Sequence, residues 1–323
     1  MGATLVCGAA GSLGHHLIQR LRRAGQPVVA QDLPDSPLPA PVPGLRIRQV
    51  ALQARADFSP LMEEVERVIL IPGKWARTPD PSPEDRLELR LYAAAAEAGV
   101  DSFCYVGSGQ VYRRDPAGVY REGMPQEAET PAQQAALLAE EGLMQLWRAG
   151  GPNLFIIRPG TIYGPQDRGP SASLACLAAL GATLLPHLPE LQGGPRNNWV
   201  HADDLAAAIL HLLERGQAGE AYNVADHDAL SSGDRLAIML RAQREEHGTA
   251  WSLPLPPRFL WSWGQFLLEQ LPPLRAGLDL VWERAWQEMR EREDLRDMLR
   301  PNLSRELMEI SSGDQLLLND KLL

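Results

Sequence analysis

The stretch Thr4-Leu5-Val6-Cys7-Gly8-Ala9-Ala10-Gly11-Ser12-Leu13-Gly14 decides the fold. Its first four residues form a short apolar run of strand character, and three glycines follow at intervals of three. Leu13, Leu17 and Leu21 then recur every fourth residue with Ile18 beside them, the mark of one buried helix face. Gly25 ends that helix, Val28-Val29-Ala30-Gln31 is the next strand, and Asp32 closes it. Glycines let such a turn tighten and let its backbone approach a pyrophosphate, while the helix N-terminus offers free N–H groups and the positive end of its dipole. An acid at the end of the second strand, about 20 residues on, stands where a ribose hydroxyl would be bound. A plain strand–helix turn is the alternative. The order of strand, glycine turn, helix and acid favours a dinucleotide site. Asp32 followed by Leu33 favours NAD over NADP, because an acid repels a 2′-phosphate and no arginine stands at position 33 to hold one.

Outward from this unit the alternation continues. Pro34, Pro37, Pro39, Pro41 and Pro43 make a stiff surface loop, and strand-like Leu45–Leu52 follows directly. Val65–Ile71 reads as a fourth strand, broken at Pro72-Gly73. Ser82-Pro83-Glu84-Asp85 has the signature of a helix start, with Leu87, Leu91, Ala94, Ala95 and Ala98 as the buried face. Ser102–Val106 is the fifth strand. Strands alternating with helices predict an α/β fold with a parallel sheet.

The whole chain bounds what this fold can serve. Its 323 residues allow a sizeable core, and 45% hydrophobic with 22% charged residues describe a globular protein. A net charge of −10 argues against a nucleic-acid partner. Cys7, Cys104 and Cys176 make no disulfide framework, and Cys7 and Cys104 read as buried apolar residues of strands. No run is long enough to span a bilayer, and the N-terminus enters a strand without a basic leader, so a cytoplasmic location is expected. No His, Cys or acid cluster has metal-ligand spacing, so no metal is expected. His15-His16 stands at a helix start, beside the expected phosphate position, and also fits a solvated first turn.

Further motifs follow in order. Tyr105-Val106-Gly107-Ser108-Gly109-Gln110-Val111-Tyr112 ends the fifth strand, Phe155-Ile156-Ile157-Arg158-Pro159-Gly160-Thr161-Ile162-Tyr163-Gly164-Pro165 forms a later strand and turn, Trp199–Ala206 carries Asp203-Asp204, and Glu220–Val224 is a last strand. With the glycine turn, these resemble the extended short-chain dehydrogenase/reductases, also called the NAD-dependent epimerase/dehydratase family, over residues 3 to 240. The resemblance implies a Rossmann-type doubly wound parallel sheet with a smaller, mainly helical C-terminal substrate domain. The NAD(P)-binding domain would be 1–166 plus 197–226, and the substrate or cap domain 167–196 plus 227–323. It also implies cofactor contacts at Gly8, Gly11, Ser12, Leu13, Gly14, Asp32, Leu33, Ile71, Pro72, Pro159 and Ile162.

The family usually works with Ser, Tyr and Lys. The Tyr is the general acid or base, and the Lys one helical turn later lowers its pKa and binds the nicotinamide ribose. Such a pair must be spaced i, i+4 to share a helix face. Ser108 falls on the serine. Anchoring the next helix on Thr130-Pro131 and Glu140 puts Ala132 and Ala136 at the Tyr and Lys positions. No Tyr-x-x-x-Lys exists elsewhere, since Lys74 and Lys321 are the chain's two lysines. The pattern therefore resembles atypical members that keep the nucleotide loop and lose the pair. Other positions depart too: Ala51 or a neighbour for the adenine-binding Asp, Glu84 for an Asn, and Asn197, with Arg196 beside it, for an Arg that often holds a nucleotide-sugar phosphate. Gln110, Tyr112, Tyr163, Asn198 and His201 are the substrate-side candidates. For Tyr112, Tyr163 and His201 a packing or capping role is the stronger reading, and Ser108 itself either caps the strand end or touches a bound ligand.

Five of the eight tryptophans, Trp251, Trp261, Trp263, Trp282 and Trp286, fall late, with helices expected over Arg258–Leu271 and Leu278–Arg300. Trp282, Trp286, Met289, Leu295, Met298 and Leu299 fit one helix face only in part. They read as the core of a small cap domain, the lining of an apolar cleft, or a membrane-facing surface, the last weakened by the acidic run Glu288–Asp297. Two functions follow. One is an atypical NAD-dependent oxidoreductase or epimerase-like enzyme acting on a small molecule. The other is a dinucleotide-binding sensor, scaffold or partner subunit without turnover. The resemblance also implies a homodimer through helices like 83–98 and 131–149.

Overall fold

The computed structural model describes residues 2–34, 36–52, 57–72, 86–167, 169–184, 189–243, 252–254, 270–292 and 314–322. Seven strands form one parallel sheet: β1 (Ala3–Cys7), β2 (Val28–Asp32), β3 (Leu45–Gln49), β4 (Val65–Leu70), β5 (Ser102–Val106), β6 (Asn153–Pro159) and β7 (Glu220–Val224). Their order is β3-β2-β1-β4-β5-β6-β7. This is the Rossmann-type doubly wound arrangement, whose direction of winding reverses between β1 and β4. Helix α1 (Ser12–Arg23) connects β1 to β2, and α2 (Leu87–Glu97) and α3 (Pro131–Ala149) precede β5 and β6. Helices α4 (Pro170–Leu184), α5 (Ala202–Arg215), α6 (Ser232–Gln243) and α7 (Pro272–Arg292) complete the described set.

The central strands are apolar on both faces because helices cover both. On one side Leu5, Cys7, Val68, Leu70, Phe103 and Tyr105 pack with Leu91, Tyr92, Ala95, Ala139 and Leu143 of α2 and α3. On the other Val6, Ala30, Ile69, Cys104, Val106 and Ile157 pack with Leu13, Leu17, Ile18 and Leu21 of α1 and with Leu205 and Ile209 of α5. Cys7 and Cys104 are fully buried, and burial pushes both thiols upward in pKa, so they behave as small apolar groups.

Local expectations need three adjustments. The strand expected over Leu45–Leu52 stops at Gln49, because β2 ends opposite it at Asp32. The strand expected over Val65–Ile71 stops at Leu70, although the Ile71 N–H still donates to the Cys7 carbonyl at 3.0 Å. The buried face of α2 is Leu87, Glu88, Leu91, Tyr92 and Ala95, while Ala98 is exposed past the last turn. Tyr92 takes that place by stacking edge-on against Phe103 at 5.2 Å and donating to the Pro152 carbonyl at 2.7 Å. The start expected at Ser82–Asp85 lies outside the described residues.

Contacts divide the chain into two units. The first contains Met1–Gln166, Trp199–Asp226 and Leu317–Leu323, and the second Asp167–Asn198 and His227–Leu316. The tail is a correction, since 227–323 was expected to lie wholly in the second. Leu317 is buried with Val111, Tyr112 and Tyr120, and the Asn319 side chain accepts from the Ala225 N–H at 3.1 Å and donates to its carbonyl at 2.6 Å. In the second unit α7 presents Trp286 and Met289, with Trp282 beside them, to Cys176 and Leu180 of α4. These residues are spaced i, i+4 and i+7, so here the late tryptophans are core. Helix α7 begins at Pro272, earlier than expected, while Trp251, Trp261, Trp263, Leu295, Met298, Leu299 and nearly all of 258–271 lie outside the described residues.

Candidate functional site

The site begins where β1 and β4 diverge at the switch of winding, the position at which open α/β sheets form a crevice. Gly8 leaves β1 at φ +81°, and a Cβ there would lie 2.4 Å from the Ile71 carbonyl oxygen. Any side chain is excluded twice, by backbone conformation and by the Ile71 carbonyl just past β4. Gly14 lies against the turn itself, since a Cβ would lie 2.6 Å from the Ala9 Cα. Gly11 differs. A Cβ there would make only ordinary contact, at 3.7 Å from the Gly8 carbonyl, and the residue is exposed. The protein's own packing thus demands glycine at 8 and 14 and leaves an open face at 11. Helix α1 starts from Gly11 with no side-chain cap and no acid in its first turn, so its leading N–H groups keep their affinity for an anion. Leu13 is buried in the helix face, and the Ser12 hydroxyl donates to the Pro165 carbonyl at 2.7 Å.

Asp32 faces this turn from the end of β2 and is 9% exposed. Its Oδ2 accepts from the Ala10 N–H at 2.8 Å, and its Oδ1 accepts from the Leu33 N–H and the Ser36 hydroxyl, both at 2.8 Å. Ile71 and Pro72 are half-buried beyond β4. Pro159 is buried at the end of β6, with its carbonyl accepting from the Gly109 N–H at 3.0 Å, and Ile162 packs on the α1 side of the core.

At the end of β5, half-buried Ser108 accepts a hydrogen bond from the Gln110 N–H at 3.1 Å, which is strand-end capping geometry, and Gln110 is exposed. Helix α3 starts with a complete capping box: the Gln133 N–H donates to the Thr130 hydroxyl at 3.2 Å, and the Thr130 N–H donates to Gln133 Oε1 at 3.0 Å. Ala132 in its first turn is exposed, and Ala136 packs beside Val111, Tyr112 and Leu137. These methyl groups carry no titratable proton. Of the two lysines, Lys321 forms a surface ion pair with Glu220, and Lys74 lies outside the described residues.

Tyr112 belongs to a buried polar network that sequence reading missed. Its hydroxyl donates to Asn223 Oδ1 at 2.6 Å and accepts from Arg158 Nη1 at 3.0 Å. Arg158 is held by Glu140 through Nη2–Oε2 at 2.6 Å and Nε–Oε2 at 3.1 Å, both side chains being 4% exposed. Asn223 in turn donates its N–H to Glu122 Oε1 at 3.1 Å, and its amide to the Tyr120 carbonyl at 3.2 Å. Burial raises the Tyr112 pKa, and Arg158 only partly offsets it. Tyr112 is 6% exposed and its hydroxyl is engaged on both sides, so it ties strands together, the packing role its sequence position also fitted. An Arg inside the apolar strand Phe155–Pro159 and a Glu on the inner face of a helix were the signals available.

His201 accepts the Asp203 N–H on Nδ1 at 3.2 Å and thereby caps α5. Its ring meets His16 at 5.6 Å and Tyr163 at 5.3 Å, both edge-on. The Tyr163 hydroxyl donates to Asp226 Oδ2 at 3.2 Å. Asp203 accepts both Arg20 Nε and Nη2 at 2.7 Å, and these hydrogen bonds hold its carboxyl below the usual range. Burial, assisted by His201 and His15, lowers the pKa of His16 against the opposing pull of Asp203. Asn198 is buried and belongs to the second unit. Arg196 donates to the Ala229 carbonyl at 3.1 Å, and the Asn197 carbonyl accepts from Arg235 at 2.9 Å. Among the described residues no group of three or more His, Cys, Asp or Glu could hold a metal, and no helix is long and apolar enough to cross a membrane.

The sequence profile of the NAD dependent epimerase/dehydratase family matches residues 4–225. The chain belongs to this family. It is 26% identical over 279 residues to a dTDP-glucose 4,6-dehydratase of Streptomyces antibioticus, covering 78% of this chain and 79% of that protein. It is 27% identical over 316 residues to a dTDP-4-dehydro-6-deoxy-D-allose reductase of a Streptomyces species, covering 85% and 93%. The match to the mouse dTDP-D-glucose 4,6-dehydratase, 28% identical over 145 residues, spans only 39% of that protein. A dTDP-glucose 4,6-dehydratase from Streptomyces venezuelae, solved with NAD bound, superposes at a TM-score of 0.63 and 21% identity over 78% of this chain and 84% of that one. A UDP-N-acetylglucosamine 4-epimerase from Bacillus cereus does so at 0.63 and 15% over 79% and 85%. These structural likenesses show the family's fold.

Proposed function

We propose that this family member binds NAD, in preference to NADP, along Gly8–Gly14 and Asp32, and acts as an atypical oxidoreductase or epimerase-like enzyme on a carbonyl or hydroxyl carbon of a small molecule. The observation that carries the reading is the turn. Glycine is required at 8 and 14 by the protein's own atoms, and Gly11 stays open in front of an uncapped helix N-terminus. That arrangement fits a pyrophosphate. Leu13, Ile71, Pro72, Pro159 and Ile162 would border the cofactor, Ser12 would close the turn through Pro165, and Asp32 would accept a ribose hydroxyl. When bound, NAD supplies a hydride acceptor or donor. The chain's contribution on the reacting side would be Ser108, whose hydroxyl can donate to a carbonyl oxygen. Ala132 and Ala136 can neither accept nor deliver a proton, so any turnover proceeds without the usual Tyr and Lys. Tyr163 and His201, if they meet a substrate, do so from positions already engaged with Asp226 and the α5 cap.

The curated relatives are named for dTDP-sugars, which makes nucleotide-linked sugars the first substrates to screen. A homodimer through α2 and α3 completes the proposal, and sedimentation of the purified chain tests it. A second reading, a dinucleotide-binding protein without turnover, is favoured by one observation: Tyr112, which follows Ser108 at the same sheet edge, is sealed in the Arg158–Asn223 network. Calorimetric titration with NAD, NADH, NADP and NADPH tests the shared core. Binding of NAD or NADH above their phosphorylated counterparts is expected, and absence of binding by all four overturns both readings. Nicotinamide absorbance during a substrate screen then separates enzyme from binder.

A further inference from the structure

We propose that Ser36 is a positioning residue for Asp32 and thereby sets the discrimination between NAD and NADP. The inference rests on Asp32 being the ribose acceptor, and deepens that reading. A carboxylate offers about four acceptor directions. Three are taken here, by the Ala10 N–H on Oδ2 and by the Leu33 N–H and Ser36 hydroxyl on Oδ1. One direction on Oδ2 is left for a ligand. Two of the three donors are backbone groups, and Ser36 supplies a side-chain donor to the set.

Ser36 is itself fastened. Its N–H donates to the Leu33 carbonyl at 3.0 Å, and its carbonyl accepts from the Leu38 N–H at 2.9 Å and from Gln49 Nε2 at 2.9 Å. Gln49 ends β3, so the hydroxyl is held between the exit of β2 and the edge strand, with Pro34 and Pro37 limiting the backbone on either side. The consequence is an anion that cannot turn. A ribose hydroxyl meets a free acceptor in a fixed place. A 2′-phosphate meets a negative charge that cannot rotate away. Released from Ser36, the carboxylate gains rotational freedom, which costs the hydroxyl an oriented partner and relieves the phosphate.

The experiment compares wild type, Ser36→Ala, Ser36→Thr and Asp32→Ala by calorimetric titration with NAD and NADP, and by amide hydrogen exchange at Ala10 and Leu33 without ligand. Ser36→Ala is expected to weaken NAD binding about tenfold, the scale of one charge-assisted hydrogen bond, while NADP affinity changes less, so the ratio of the two narrows. Ser36→Thr restores the ratio, and Ser36→Ala speeds exchange at both amides. The inference is overturned if Asp32→Ala collapses the ratio while Ser36→Ala leaves it within about twofold of wild type, a difference too small for a lost hydrogen bond. If wild type binds no dinucleotide, or Asp32→Ala leaves the ratio intact, the reading of Asp32 has failed and the role of Ser36 falls with it.

Discussion

The two sides of the site follow opposite rules. Around Gly8, Gly14 and Asp32 each position is demanded by a specific contact: an excluded side chain, a close backbone approach, a carboxylate with three donors. Around Ser108, the methyl groups of Ala132 and Ala136 are exposed and half-buried, and the polar groups nearby are turned inward to hold strands together.

The contrast can be broken at four points. The largest effect is expected from Gly8→Val, which places side-chain atoms against the Ile71 carbonyl at φ +81°. A loss on the order of 5 kcal/mol in urea unfolding is expected, with dinucleotide binding abolished. Near-normal stability would show that the turn is less constrained than its geometry requires.

Next comes Glu140→Gln, which leaves the Arg158 guanidinium buried without its carboxylate. Removing one partner of a buried pair costs roughly 3–5 kcal/mol, measurable as a lowered denaturant midpoint. NAD affinity per folded molecule should hardly change, because Glu140 lies on the α3 side, away from the glycine turn.

Tyr112→Phe removes a hydroxyl that satisfies both Asn223 and Arg158, and should cost about 1–3 kcal/mol in thermal unfolding. It also sharpens the comparison. If Tyr112 were the hidden acid–base group, any turnover found for the wild type would fall by about 10²–10⁴-fold, well beyond the effect of lost stability.

The smallest effect concerns pH. His16 has a lowered pKa in the folded chain, so the unfolded chain takes up more protons as pH falls. The stability its neutral form contributes is present above the ordinary imidazole value of 6.5 and is lost as pH falls from there toward the depressed value. Asp203, held below the carboxylate range by Arg20, acts in the same direction in a separate window, starting near its ordinary value of 3.8. A His16→Gln chain should show a flatter stability profile just below pH 6.5 and keep the acid limb due to Asp203. An unchanged slope would assign the acid sensitivity elsewhere.

Much of the glycine turn and its surroundings was legible from the sequence. Apolar runs four to seven residues long, glycines at intervals of three and an acid at a strand end are local patterns, and their spacing states their geometry. Ser36 was not legible, since a serine in a proline-rich loop has no periodic signal, and its bond to Asp32 depends on how β3 returns beside β2. The partners of Tyr112 were hidden for a stronger reason: Asn223 is 111 residues away and Arg158 is 46. The tail return was hidden likewise, because Asn319 finds Ala225 across 94 residues.

What the residues announced before any folding was the parallel α/β sheet, the place of the glycine turn, the acid at the end of β2, and a chain with two lysines. These are properties of local spacing and of composition, which the chain carries before it folds. Strand pairing added the rest: Tyr112 is held by Asn223 and Arg158, Leu317–Leu323 group with the first unit, and Asp32 has one acceptor direction left. Each of these depends on which distant donor or acceptor arrives when strands far apart in sequence are paired. Buried polar groups must then take whatever partners that pairing brings within hydrogen-bond reach.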